Sequence, residues 1–289
     1  MQVKFSVIVP VYQQWHFIED LVRCMESQVI SKDLFELVLI SNDGRSPSLL
    51  GGESFQIKTG ECKKPGSYAA RNRGAELADG DWLIFTDADC LPDPKWIAGI
   101  DRAIRCSVGG VKLFAGDVRS QKQHGFSNIY EVYDFMRGIP QEVYVSAGVA
   151  ATANMVVDRF LFLKFGGFSE NSFSSGDFEF CRRLRVRGYQ ILFLKSAFVH
   201  HRVRCSWRSV AAKAKRIKGG QFFVSRGVGR FQLILYTLLP PVRSVIFFWR
   251  KREVYIGYRL LAIFVQLRLW GVEIWEMARL MLGAKPERH

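Results

Sequence analysis

Two carboxylates, Asp87 and Asp89, stand one residue apart where the apolar run Trp82–Leu83–Ile84–Phe85–Thr86 stops. In an open parallel sheet, acids at the end of a buried strand point into the crevice where ligands bind. Such a pair suits a hard divalent cation that keeps its remaining positions for water and for substrate phosphate oxygens. A strand end capped by solvated acids has the same spacing, so the flanking residues decide between the two. Asp43 occupies a matching position in Ser41–Asn42–Asp43–Gly44, after the run Phe35–Ile40. Asp177 and Glu179 follow a glycine-rich approach that predicts little cover for Asp177. Both also suit the first turn of a helix, where the dipole favours acids and Glu179 can pair with Arg182 or Arg183. His200 and His201 close a strand, and alternation lets at most one of them face a given site. Arg71 and Asn72 lie inside an Ala-rich helix that leads into the acidic strand. The basic loop Lys63–Lys64–Pro65–Gly66 precedes that helix, and a helix N-terminus beside cations is a natural anion site.

The elements that must hold these residues read as alternating strands and helices. Val3–Val11 is a buried strand, and Trp15–Met25 carries apolar residues at helical spacing. A second strand covers Phe35–Ile40, a helix opens with its cap at Ser67, and the acidic strand follows at Trp82. Beyond it come a helix through Cys106, strands at Val111–Ala115 and Ala151–Val157, a helix entered near Ser174, and a strand from Tyr189. Tyr130, Tyr133, Phe135 and Tyr144 lie between them, at a spacing more typical of core than of ligand stacking. Repeated strand, loop and helix predicts parallel strands joined by right-handed crossovers. Neither the glycine fingerprint of dinucleotide sites nor a phosphate-binding P-loop is present. A bound nucleotide must therefore be held by acids and metal.

The length of 289 residues allows one large α/β domain with an appendage, or two modest domains. With 48% hydrophobic and 24% charged residues, extensive disorder is excluded. The formal charge of +14 is uneven, since after Arg202 the only acids are Glu253, Glu273, Glu276 and Glu287. That asymmetry predicts a polyanionic surface as partner. Six scattered cysteines without metal-like spacing predict a reduced, cytoplasmic setting, and the opening run Phe5–Val9 does not read as a secretion signal.

The ordered motifs resemble glycosyltransferase family 2 over about Val3–Arg204. They are Val7–Ile8–Val9–Pro10–Val11–Tyr12, Asn42–Asp43–Gly44, Ala70–Arg71–Asn72–Arg73–Gly74, Asp87–Ala88–Asp89, Gly166–Gly167–Phe168, Gly176–Asp177–Phe178–Glu179–Phe180 with Arg183, and His201–Arg202. The resemblance implies a GT-A fold, an α/β and Rossmann-like architecture with a mostly parallel sheet and flanking helices. It also implies inverting transfer of a sugar from a nucleotide diphosphate sugar, UDP favoured, to a hydroxyl acceptor such as a lipid-linked or polysaccharide precursor, with Mn2+ or Mg2+ as cofactor. By position, it places Pro10, Tyr12, Asp43, Arg71, Asn72 and Asp87 at the nucleotide and Asp87, Asp89 and His201 at the metal. Asp177 is implied as catalytic base, with Glu179 as a possible substitute. The family often has an acid where Gly176 stands, and an acid where Asn42 stands. A nucleotide-sugar-binding homologue without turnover is the alternative.

Residues 1–204 are thus expected to form the catalytic domain and 205–289 a basic, amphipathic helical appendage. Pro240–Pro241 and Arg243 break one apolar run, and Arg259 and Arg268 punctuate the next. A spanning helix needs roughly 20 apolar residues, so interfacial helices at the cytoplasmic face of an anionic membrane fit better. A helical cap packed on the catalytic domain is the competing reading. Nucleic acid is not expected as a partner, because the apolar runs around Leu233 and Ile263 would have no use there.

Overall fold

The computed structural model describes residues 3–45, 54–107, 110–122, 125–126 and 128–286. Its sheet follows from three buried runs whose alternate side chains go to opposite faces. These are β1 (Phe5–Val11), β2 (Phe35–Ser41) and β4 (Trp82–Thr86), with the exposed strand β3 (Gln56–Glu61) beside β2. Val7, Val9, Leu37, Leu39 and Ile84 face one core. There they meet Ile18, Leu21 and Met25 of α1 (Ile18–Glu26) and Trp96, Ile97 and Ile100 of α3 (Trp96–Cys106). Ile8, Val38, Ile40, Leu83 and Phe85 face the other core, built with α2 (Ser67–Leu77), α6 (Arg159–Lys164) and α7 (Gly176–Arg185). Gly74 lets α2 lie close on β1, since a Cβ there would fall 2.4 Å from Cγ2 of Ile8.

The remaining strands are β5 (Cys90–Pro92), β6 (Leu113–Gln121), β7 (Asn154–Asp158) and β8 (Ile191–Arg202), and the sheet order is β3-β2-β1-β4-β7-β6-β8-β5. The first four strands in that order are parallel, as expected. The pairings β4–β7, β6–β7 and β5–β8 are antiparallel, so the sheet is mixed. The short helix α5 (Gln141–Ser146) feeds β7, and Gln141 Nε2 bonds the carbonyls of Ala151 and Asn154 at 3.0 Å.

The described residues gather into two compact units. One holds Met1–Arg119, Ile139–Glu170 and Gly176–His201, and the other holds Ser120–Gly138, Asn171–Ser175 and Arg202–His289. The second unit takes up the chain from Arg202 onward, and two earlier segments join it. The reason is the apolar face of α4 (Ile129–Arg137), whose Val132, Tyr133 and Met136 share a core with later helices. Those helices are α8 (Trp207–Val224), α10 (Val242–Trp249) and α11 (Ile256–Met281), which contribute Val210, Phe248, Val265 and Leu269 to it, and α9 (Gly227–Leu238) lies between α8 and α10 in the chain. Asp134 of α4 is held by the Arg204 N–H at 2.9 Å and by Lys213 Nζ at 3.4 Å. Among the described residues no single helix is long and apolar enough to cross a membrane. Only α9 and α10 together meet that measure, across a 57° bend.

Candidate functional site

The parallel strands β1, β2 and β4 end at the same edge of the sheet, so the residues beyond Val11, Ser41 and Thr86 are neighbours by topology. Pro10 pairs with Ile40 near the end of β1, and Tyr12 follows half-buried. Asp43 accepts the Gln13 N–H at 2.7 Å and the Trp15 Nε1–H at 3.2 Å, with the Ser41 hydroxyl and the Arg45 N–H both at 3.2 Å. Burial alone would raise its pKa, but these donors outweigh burial and hold the carboxyl below its ordinary value. Gln13 sits at a φ of 56°, a left-handed conformation that costs a residue with a Cβ about 1 kcal/mol. The carboxylate of Asp43 braces that turn.

Asn42 explains why the position before Asp43 is not an acid. Its Nδ2 donates to the carbonyls of Cys62 at 2.7 Å and Lys64 at 2.8 Å, while its Oδ1 accepts the Gly66 N–H at 2.9 Å. Only an amide can donate and accept here. Helix α2 therefore begins with Gly66 as its N-cap, and the expected Ser67 cap bond is not made.

From α2, the buried Arg71 contacts Asp87 through Nη2 and lies 5.8 Å from the ring centroid of Tyr68. Its Nε–H is buried with no partner, which leaves a donor for a ligand oxygen. Asn72 is not brought to this group. Its Nδ2 donates to the Phe168 carbonyl at 2.9 Å and its Oδ1 accepts the Phe168 N–H at 2.9 Å, so it pins the Gly166–Gly167–Phe168 bend to α2.

The register of β5 on β8 sets Cys90 opposite His201. Nε2 of His201 comes within 3.5 Å of Oδ1 of Asp89, and ligand atoms of Asp87, Asp89, Cys90 and His201 all lie within 4.8 Å of one another. His201 is buried, whereas His200 packs edge-on against Phe198 with ring centroids 5.4 Å apart. Burial and the charges of Asp87 and Asp89 push the Cys90 thiol well up, and a soft sulfur is in any case a poor match for a hard cation. Two carboxylates and an imidazole remain, a donor set that fits one divalent cation.

Asp177 is only 8% exposed, against the expectation of little cover. Its Oδ1 accepts the Tyr68 hydroxyl at 3.1 Å and the Phe178 N–H at 3.0 Å, and its Oδ2 accepts the Thr152 N–H at 3.1 Å. Burial pushes the carboxyl up, against the pull of the Thr152 N–H, the Arg71 charge, the Phe178 N–H and the Tyr68 hydroxyl. Gly176 makes room for this arrangement, because a Cβ there would meet the Tyr68 ring at 2.9 Å. An acid at 176 has no space. Glu179 is instead half-exposed and pairs with Arg183 at 3.2 Å. The structure thus links Asp87, Arg71, Tyr68 and Asp177 into one chain of contacts and leaves Glu179 outside it. Tyr68 was not among the expected residues, although its i,i+3 spacing from Arg71 puts both on one helix face.

Residues 6–162 match the family model for glycosyl transferase family 2. Among curated proteins, glycosyltransferase AglE of Haloferax volcanii is 28% identical over 227 residues, 76% of this chain and 73% of that protein. A second relative is poly(ribitol-phosphate) β-N-acetylglucosaminyltransferase TarS of Staphylococcus aureus, 29% identical over 92 residues, 30% of this chain and 16% of that protein. Among solved structures, mannosyltransferase PcManGT from Pyrobaculum calidifontis, in complex with GDP-Man and Mn2+, superposes with a TM-score of 0.58 at 15% identity, over 95% of this chain and 88% of that one. TarS 1–349 of S. aureus in complex with UDP-GlcNAc gives a TM-score of 0.54 at 14% identity, over 97% and 92%. The mixed sheet with flanking helices is therefore the GT-A fold.

Proposed function

This chain belongs to glycosyltransferase family 2, and from that premise we propose that it catalyses inverting, metal-dependent transfer of a sugar from a nucleotide diphosphate sugar to a hydroxyl acceptor. The observation that carries the proposal is the clustering of Asp87, Asp89 and His201 at the carboxyl end of β4, joined through Arg71 and Tyr68 to a buried carboxylate. In this reading Asp43, with Pro10 and Tyr12 at the end of β1, holds the nucleoside. Arg71 offers its spare Nε–H to the donor while fixing Asp87. Asp87, Asp89 and His201 would hold Mn2+ or Mg2+, and the imidazole tilts the choice toward manganese. A cation bound there supplies Lewis-acid stabilisation of the charge that develops on the departing diphosphate.

Asp177 takes the proton from the acceptor hydroxyl as the new C–O bond forms. The old bond to phosphate breaks with its electron pair going to the leaving oxygen, and attack from the opposite face inverts the anomeric centre. Burial supports this role, because a carboxylate whose pKa is raised is a stronger base than an ordinary one. A uridine donor is favoured by the TarS relatives, and a lipid-linked or polyol-phosphate acceptor at the cytoplasmic face of a membrane suits the basic second unit.

The test is a set of three variants. Asp177→Asn should bind donor normally yet lose transfer by roughly 100-fold or more, because only proton abstraction is removed. Glu179→Gln should stay within a few-fold of the parent. Asp89→Ala should lose both donor hydrolysis and the activation by added Mn2+. If Glu179→Gln is the dead variant, the base is misassigned. Full activity in the presence of a chelator would remove the metal.

A further inference from the structure

Outside the C-terminal helices the exposed large apolar side chains are scattered, at Val29, Val143, Phe160, Leu163, Val186 and Leu192. Between Ile217 and Leu282 they are dense, and on the bent pair α9–α10 they are ordered. Phe231, Leu235 and Leu238 recur at i, i+4, i+7 on α9, and Val242, Ile246 and Trp249 repeat that spacing on α10. Their exposure runs from 43% at Ile246 to 67% at Phe231, while Thr237 and Phe248 are buried. Each helix thus shows an apolar stripe to solvent, and α10 sets Phe248 into its core.

The charges say what covers the outer stripe. No acid stands between Glu179 and Glu253, and Arg226, Arg230, Arg250, Lys251 and Arg252 bracket the pair. A second copy would bring the same cations face to face, and a nucleic acid would leave the aliphatic tip in water. An anionic bilayer satisfies both halves, with phosphates for the cations and acyl chains for the leucines. The bend itself is suited to hydrocarbon. Pro240 and Pro241 have no N–H to leave unpaired, and the neighbouring amides are spent internally, Leu239 on the Leu235 carbonyl at 3.2 Å and Val242 on that of Pro240 at 2.8 Å. Trp270 Nε1 covers the Thr237 carbonyl at 2.8 Å. Arg243, next to the tip, sets the depth, since its guanidinium must snorkel to phosphate level.

We propose that α9 and α10 form a wedge that enters one leaflet of an anionic membrane at the Leu238–Val242 bend, without crossing it. This rests on the membrane-bound reading of the enzyme and specifies how attachment is made.

The test is flotation of the full chain with vesicles of phosphatidylcholine, alone and mixed with phosphatidylglycerol, at low salt and at 1 M salt, where the Debye length is about 3 Å. The parent should bind the anionic vesicles and keep a salt-resistant fraction. The double variant Leu238→Glu plus Leu239→Glu should bind in high salt roughly tenfold or more weakly, and keep its turnover of a soluble acceptor. Leu239→Trp should gain fluorescence that acyl-chain-brominated lipid quenches, which would support the wedge even if the double variant folds poorly. Binding that salt abolishes, or that the Glu pair leaves unchanged, overturns the wedge while leaving surface attachment. No flotation of the parent overturns both, and turnover on the soluble acceptor still judges the transferase reading by itself. A parent that is dimeric without lipid, made monomeric by the Glu pair, assigns the face to a second copy and overturns the proposal.

Discussion

Asp177 is bought at the expense of stability, and pH makes that measurable. Its folded-state pKa is raised by burial, so the folded chain holds this proton more tightly than the unfolded chain does. The group's contribution to stability is full below the unfolded value of about 4 and is lost as pH rises through the folded value. Asparagine has no such proton. Relative to the parent, Asp177→Asn should therefore gain stability as pH is raised from about 4 to 7, read from denaturant midpoints, while transfer is lost. A constant difference across that range would mean that the carboxylate carries no burial penalty. Asn42 predicts the opposite kind of effect. Asn42→Asp would turn a carboxylate toward the carbonyls of Cys62 and Lys64, and should destabilise the fold by about 1–3 kcal/mol in thermal or chemical melts. Cys90→Ala should leave the dependence of activity on Mn2+ unchanged, because a soft thiol is a poor match for a hard cation, whereas His201→Ala should weaken it.

At the scale of elements, α2 is the piece whose position matters most, since it carries both Arg71 and Tyr68. Gly74→Val would push a branched side chain against Ile8 and Ile40, lift α2 from β1 and β2, and cost about 1–3 kcal/mol. Turnover should fall with it, measured on the fraction still folded. The strands of the parallel half were legible because β1, β2 and β4 are continuous apolar runs, and the acids at their ends could be read by position alone. Strand direction was not legible, since a buried run looks the same either way, which is why the antiparallel partners of β7 and β8 are absent from the sequence reading. β3 was hidden by its exposure, with Gln56, Lys58 and Glu61 in place of an apolar pattern, and β5 by its three-residue length. The cover over Asp177 comes from Tyr68 and Thr152, 109 and 25 residues away, and local spacing does not report such partners. Likewise the spacing of Tyr130 and Tyr133 marked α4 as packed without saying against what.

At the scale of the whole chain, that last point bears on where the protein can be cut. A protein cut at Arg204 would keep α4 but strip away Val210, Phe248, Val265 and Leu269, leaving Val132, Tyr133 and Met136 bare. Such a truncation should scatter light and sediment at concentrations where the full chain does not, so it is a poor control for attachment to vesicles. Phe248→Ala, which opens the same core, should cost about 3–5 kcal/mol and raise binding of a hydrophobic dye. The order of synthesis gives this packing a further meaning. Met136 leaves the ribosome about 130 residues ahead of its partner Leu269, a wait of the order of ten seconds at ordinary elongation rates. During that wait α8 and α10 bring Val210 and Phe248, but the part of the face of α4 that α11 covers lacks its native cover, so the nascent chain offers a chaperone binding site until α11 has been made.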